Sequence, residues 1–253
     1  MTDRDLVELF HLLFLRALAA KAEDKRLFAL KGGCNLRFYL GSPRYSEDID
    51  LDVTVVAPAT LENRVDRLLA SPLVQAPLKA RRIELVDVSK PKQTATTQRW
   101  KAGLRRGSGP AVRTKIEFSR REAIDGAAFE AIDAGVASRH ALPRFLAPHY
   151  GAQRAAAQKI AALAGRSQPQ ARDVFDLHLL LARPEVADLM VDADTYAALP
   201  AAVSQAMSLG FDEHVAQVVA YLEPEQADLY GGRDSWDLLQ GGVVDRLQAL
   251  GPS

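Results

Sequence analysis

Leu30-Lys31-Gly32-Gly33-Cys34-Asn35-Leu36-Arg37, then Arg44-Tyr45-Ser46-Glu47-Asp48-Ile49-Asp50-Leu51-Asp52-Val53, is the stretch on which the fold turns. Leu27 to Leu30 is a short apolar run that stops at Lys31-Gly32-Gly33. Leu36, Tyr39 and Leu40 then share one face of a short helix, closed by Gly41 and Pro43. From Asp48 the pattern alternates strictly, with Ile49, Leu51 and Val53 on one side and Asp48, Asp50 and Asp52 on the other, as a half-buried strand requires.

Neighbouring same-face positions on a strand lie roughly 7 Å apart, two rises of about 3.3 Å each. Asp48 and Asp50 therefore repel unless something cationic sits between them. A Mg²⁺ pair would fill that role with oxygen ligands. An edge strand with one wet acidic face is the competing reading. The glycine pair precedes Asp48 by fifteen residues. Glycines between a strand and a helix let backbone N–H groups approach a ligand, and a helix N-terminus favours phosphate. A plain chain reversal has the same local sequence.

Working outward, Thr2 caps a first helix with Asp3 and Asp5 in its opening turn, and Leu6, Phe10, Leu13, Phe14 and Ala17 repeat at helical spacing. Leu61 to Leu69 reads as a helix. Arg82 to Val88 and Val112 to Phe118 read as strands, with a basic, glycine-containing loop between them. On the second of these, Lys115 and Glu117 share a face opposite Ile116 and Phe118, so Glu117 offers a third carboxylate. From about Ala123 the pattern turns helical and Ala-rich, with the clearest helices at Ala152 to Leu163, Arg172 to Leu181 and Val215 to Leu222. Gly231, Gly232, Gly241 and Gly242 read as turns. The chain is expected to be α+β, a mixed sheet with flanking helices over residues 1–130 followed by a helical part over 131–253 that contributes to the active site.

Composition bounds the rest. The chain has 253 residues, enough for a sizeable core in one large domain or two small ones. Its single cysteine, Cys34, excludes an internal disulfide and a zinc-finger framework and agrees with a reducing, cytoplasmic setting. The start is mixed in charge, without the basic opening and unbroken apolar run of a signal peptide, and no apolar run reaches the length of a membrane span. Five histidines show no metal-ligand spacing. The formal net charge of zero conceals two blocks: Lys79–Arg121 carries 13 Lys and Arg against three acids, and Arg183–Ser253 carries 12 acids against three Arg. The first suits a polyanion and the second a basic partner, unless both are simply solvated faces. Trp100 among cations reads equally as a base-stacking group or as packing.

The two quoted segments resemble the AbiEii/AbiGii nucleotidyltransferase-like toxin family, which has the DNA polymerase β-type nucleotidyltransferase fold. Lys115-Ile116-Glu117 is similar to the family's K-x-D/E strand. Gln158-Lys159-Ile160, Ala162-Leu163, Arg166 and Arg172-Asp173-Val174-Phe175-Asp176-Leu177 are similar to its K-[LI]-x-A-L…R…R-D-[LVI]-[YF]-D-L segment. The resemblance runs in order from about residue 25 to 182. It implies an enzyme using a nucleoside triphosphate and Mg²⁺, in two ions, with pyrophosphate released. The acceptor it implies is RNA, the 3′ end of tRNA, so that translation stops, with a cognate antitoxin as partner. It implies metal at Asp48, Asp50 and Glu117, catalytic roles for Asp48, Asp50, Lys159, Asp173 and Asp176, and nucleotide contacts at Lys31, Gly32, Gly33, Ser46 and Arg166. Cys34 stands where the family commonly has Thr or Ser, and Glu117 where it often has Asp. Read without the family, Asp173 and Asp176 share a helix face, where Lys159, Arg166 or Arg172 would form either a phosphate site or a salt-bridge network. Transfer to a protein or small hydroxyl acceptor, and an inactive nucleotide- or partner-binding module, are the alternative readings.

Overall fold

The computed structural model describes residues 1–21, 27–54, 56–121 and 123–251. They fall into two units, Met1–Gly41 with Tyr45–Tyr150, and Ser42–Arg44 with Gly151–Ser253. The change of unit therefore comes after residue 150, and the expected 130/131 boundary falls at the end of a strand, Ala127–Ala131.

The first unit is built on a seven-stranded mixed sheet. Its strands are β1 (Phe28–Lys31), β2 (Asp48–Val53), β3 (Ile83–Gln93), β4 (Thr97–Arg106), β5 (Val112–Arg120), β6 (Ala127–Ala131) and β7 (Leu146–Tyr150), in the order β3-β4-β5-β2-β1-β7-β6. β2 runs parallel to β5 and antiparallel to β1, and β1 runs parallel to β7. The helices of this unit are α1 (Asp3–Lys21), α2 (Gly32–Tyr39), α3 (Pro58–Leu69), α4 (Pro72–Ala80) and α5 (Ala134–Arg139). Thr2 caps α1 as expected: its hydroxyl accepts from the Asp5 N–H at 3.2 Å, and the Asp5 carboxylate accepts from the Thr2 N–H at 2.8 Å, a reciprocal capping box. Ile49, Leu51, Ile116, Phe118 and Trp100 form one apolar core with Phe10, Phe14, Val65 and Leu78.

Two sequence expectations are corrected here, and two open readings are decided. Residues 97–106 form β4 rather than a basic loop, because Gln98, Trp100 and Ala102 alternate inward against Thr97, Arg99 and Lys101. Trp100 is fully buried, packs edge-on against Phe118 and donates its indole N–H to Asp66 at 2.9 Å, so it is packing and not a base platform. Residues 127–131 and 146–150 pair as antiparallel strands despite their alanine content and Pro148. Asp52 is not on a wet face: Lys31 donates to it at 2.5 Å and the Tyr150 hydroxyl at 2.9 Å, and it is buried.

The second unit is helical: α6 (Ala152–Gly165), α7 (Ala171–Leu181), α8 (Ala193–Met207), α9 (Phe211–Gln217), α10 (Pro224–Tyr230) and α11 (Arg233–Ala249). The helix expected over 215–222 ends at Gln217, followed by a short 3₁₀ turn, and Gly241-Gly242 lie inside α11 instead of marking a turn. Ile160, Leu163, Val174, Phe175, Leu177 and Trp236 are buried in this unit. No described helix is long and apolar enough to cross a membrane.

Candidate active site

Two clusters of the expected residues exist, one in each unit. In the first, β1 runs directly into α2 at the glycine pair, and Gly32 takes φ +67°, the left-handed conformation glycine adopts freely. A Cβ on Gly32 would stand 3.0 Å from Asp50 Oδ2. Glycine is thus required twice at this position, for its backbone and for the approach of the carboxylate.

Asp48 and Asp50 project from the same face of β2. Asp48 is partly exposed and paired with Lys115 at 2.9 Å. Asp50 forms no salt bridge or side-chain hydrogen bond among the described residues. Burial raises its proton affinity; the charges of Asp48 and Glu117 add to this, while Lys115 and Lys31 oppose it. Ser46 lies just before the strand and donates its hydroxyl to the Asp48 carbonyl at 2.9 Å, fixing the entry to β2. Glu117 stands opposite Asp50 in register, but its carboxylate is taken by Arg99 at 2.6–2.7 Å. Lys31 stands opposite Asp50 yet sends its ammonium to Asp52.

An all-oxygen donor pair, under-compensated and beside a glycine cradle, fits a hard divalent cation. Asp48 and Asp50 are the residues that would hold it. Among the described residues no group of three acidic, His or Cys side chains is drawn together as a ready-made site, because Glu117 is engaged elsewhere.

Cys34 lies beside this cluster, close to Ser46 and to the backbone of Asp48. It is buried, its thiol lying 3.3 Å from the Asp48 carbonyl and 3.4 Å from His11 Nδ1, and burial pushes its proton affinity well up. It is an inert core thiol, and the loss of a family hydroxyl here places no group at the glycine turn.

The second cluster centres on α6 and α7. Asp173 and Asp176 share one face of α7 and neither is exposed. Lys159, from α6, binds Asp173 at 2.9 Å and Asp176 at 2.6 Å. Arg166, at the C-terminal end of α6, binds Asp173 at 2.6 Å. Burial opposes the charge on Lys159, but Asp176 and Asp173 more than offset it and hold the ammonium more firmly than usual. Burial likewise opposes ionisation of Asp173, and Lys159 and Arg166 outweigh it.

Sequence reasoning gave no role to Arg44, although it lies in the quoted motif. Residues 42–44 belong to the second unit, and the Arg44 guanidinium grips both oxygens of Asp176 at 3.0–3.2 Å while itself buried. Three cations thus surround two carboxylates, leaving one net positive charge, with Arg166 its partly exposed member and Lys159 nearly buried. Each carboxylate oxygen of Asp173 and Asp176 is engaged by at least one of these cations.

The AbiEii family model, described as nucleotidyl transferase AbiEii toxin of type IV toxin–antitoxin systems, matches residues 13–230. The chain belongs to that family. Comparison with curated proteins gives no match. Among solved structures, the fold resembles JHP933 from Helicobacter pylori (TM-score 0.62, 20% identity, 98% of this chain and 95% of that one). It also resembles MenT4, a nucleotidyltransferase toxin from Mycobacterium tuberculosis H37Rv (TM-score 0.58, 18% identity, 98% of this chain and 85% of that one). These likenesses establish a nucleotidyltransferase-toxin fold, and family membership makes the chain a nucleotidyltransferase-type toxin of a toxin–antitoxin system.

Proposed function

We propose that this toxin transfers a nucleotidyl group from a nucleoside triphosphate to a hydroxyl at the 3′ end of RNA, with the tRNA acceptor end as target. The reading includes Mg²⁺ at Asp48 and Asp50, a cognate antitoxin as protein partner, and action in the cytoplasm, where translation is its victim. The observation that carries it is Asp50, a carboxylate with no salt bridge among the described residues, held so close to the glycine turn that a Cβ on Gly32 would stand 3.0 Å from its Oδ2.

In the proposed reaction the acceptor hydroxyl oxygen attacks the α-phosphorus. The bond from that phosphorus to the bridging oxygen of the β-phosphate breaks, pyrophosphate leaves, and the hydroxyl proton passes to solvent. Divalent metal, when bound, lowers the charge barrier to attack and stabilises the leaving pyrophosphate. The chain's own groups do the rest. The Gly32-Gly33 turn and the start of α2 accept phosphate oxygens, because the first N–H groups of a helix lack intrahelical partners. Ser46 keeps the start of β2 in place through the Asp48 carbonyl. In the second unit Lys159 and Arg166 are the cations for phosphate, with Asp173 and Asp176 fixing their positions. Lys31, tethered to Asp52, adds a fixed cation next to the turn.

The test is transfer of label from each α-labelled nucleoside triphosphate, with Mg²⁺ and total tRNA, to the tRNA band. Label in tRNA, abolished by chelator, is expected. Label in a protein band instead selects the alternative acceptor, and nucleotide binding without pyrophosphate release selects an inactive module. Absence of any transfer by folded wild-type protein overturns the reading.

A further inference from the structure

The sheet face that carries Asp48 and Asp50 does not end with them. In register, Asp48 stands opposite Lys115, Lys115 opposite Lys101, and Lys101 opposite Ser89, a polar row running from β2 across β5 and β4 to the edge strand β3. Lys115 and Lys101 form a like-charge pair directly across two strands, an arrangement that weakens a sheet unless an anion comes between. Arg113, two positions before Lys115 on β5, adds a third cation. A cleft of about 480 Å³ opens over these groups, its lining including the cations Lys101, Arg113 and Lys115 and the acids Glu47, Asp48 and Asp87.

Two details show the cleft to be built. The β3–β4 register shifts between Val86 and Ser89, and Asp87 within the shift takes φ +52°, a left-handed state that aspartate adopts more readily than most non-glycine residues. Such bulges re-aim side chains. Here Asp87 is aimed at Arg113, 3.0 Å away, in a pair whose members are both more than half exposed. Lys101 forms no ion pair among the described residues. Arg113 is held by an exposed Asp87 that a stronger anion can replace, and Lys115 stays with the partly buried Asp48.

Nucleotidyl transfer is an in-line displacement, so the attacking oxygen and the leaving pyrophosphate lie on opposite sides of the reacting phosphorus. The glycine turn borders the Asp pair on the β1 side, and the cleft borders it on the β5 side. If the turn takes the polyphosphate, the acceptor must enter over the cleft. We propose that this cleft binds a backbone phosphate of the single-stranded 3′ end of the acceptor RNA, with Lys101 and Arg113 as its direct contacts. On binding, Arg113 exchanges Asp87 for the phosphate. This inference rests on the nucleotidyl-transfer reading and adds the acceptor's path to it.

The experiment measures binding of a fluorescent RNA hairpin with an unpaired 3′ tail to the full-length protein by anisotropy, across a series of salt concentrations. Wild type is compared with Lys101→Ala and Arg113→Ala, and with Lys79→Ala, an exposed cation that does not line the cleft. Each cleft variant is expected to weaken binding about 5–10-fold at low salt and to lower the slope of log affinity against log salt by about 0.7–1, the signature of one lost phosphate contact. In transfer assays the KM for RNA rises while the KM for the nucleoside triphosphate stays. Lys79→Ala leaves both unchanged. If wild type labels RNA while both cleft variants keep its affinity, slope and KM, this inference fails and the reading beneath it stands. If wild type neither binds nor labels RNA, both fail.

Discussion

The two units treat carboxylates in opposite ways. On α7, Asp173 and Asp176 are fully buried and each accepts from at least two cations, among them Lys159 and Arg44. On β2, Asp48 pairs with one lysine, Lys115, and Asp50 has no ion-pair partner among the described residues. The same residue type thus serves as an anchor in one place and as an unfilled ligand in the other. Number alone does not distinguish them, since each cluster holds two aspartates at short spacing. The distinction is compensation: a carboxylate withdrawn from water is stable when cations replace the water, and stores unfavourable charge when they do not.

The comparison breaks most visibly at Asp50. Asp50→Asn is expected to lower nucleotide transfer by 10³-fold or more, about 4 kcal/mol of barrier, while denaturant stability stays level or rises. Removing an uncompensated charge deletes a repulsion with Asp48 and Glu117, not a bond. Loss of stability comparable to the loss of rate would show Asp50 to be an anchor after all. The opposite result is expected at Arg44. Arg44→Met leaves Asp176 buried with Lys159 alone, and breaking such a pair costs about 3–5 kcal/mol. Adding Asp176→Leu is expected to recover most of that stability, because a buried pair replaced by apolar groups is often neutral, but not activity, because Lys159 then lacks its second tether. A chemical melt with a transfer assay on the same three proteins separates position from stability.

The β2 cluster was legible because its signal is local. Alternation over six residues fixes which side chains share a face, and the glycine pair marks the turn beside it. Alternation does not say what covers that face. Asp52 continues the acidic row in sequence, yet Tyr150, ninety-eight residues on, buries it and turns it into a holder for Lys31. Arg44 failed for the same reason, since its partner Asp176 is 132 residues away. The β4 strand is a different case: its period-two pattern was present, with Gln98, Trp100 and Ala102 inward, but four cations outweighed it and suggested a loop. β6 and β7 carried no comparable signal, because alanine and proline disfavour strands and only pairing with one another, and of β7 with β1, holds them there.

The contrast between the units also extends to acid, and each unit contains one tryptophan to report it, Trp100 in the first and Trp236 in the second. In the first, His11 is fully buried with its ring against Thr114 and Cys34, and burial depresses its pKa to about 3, with Glu8 opposing only in part. The ordinary value is near 6.5, so between about pH 6.5 and pH 3 the unfolded chain holds a proton that the folded one refuses. Stability is therefore complete above that window and falls on acidification, by about 1 kcal/mol per pH unit from this group. Glu8 acts in the same sense lower down: burial raises its pKa, but His140 and Arg37 outweigh that and hold it below the ordinary value, so its contribution is lost as pH falls through the carboxylate range. In the second unit, burial also lowers His178 and His214, so acid weakens both units. His11→Gln, which can keep the hydrogen bond to Thr114, is expected to flatten the pH dependence of the urea midpoint read from Trp100 and to leave that read from Trp236 unchanged, each measured with the other tryptophan replaced by Phe. Equal flattening of both signals would show that the two units unfold as one, and that the difference between their charge clusters is one of function without separate stability.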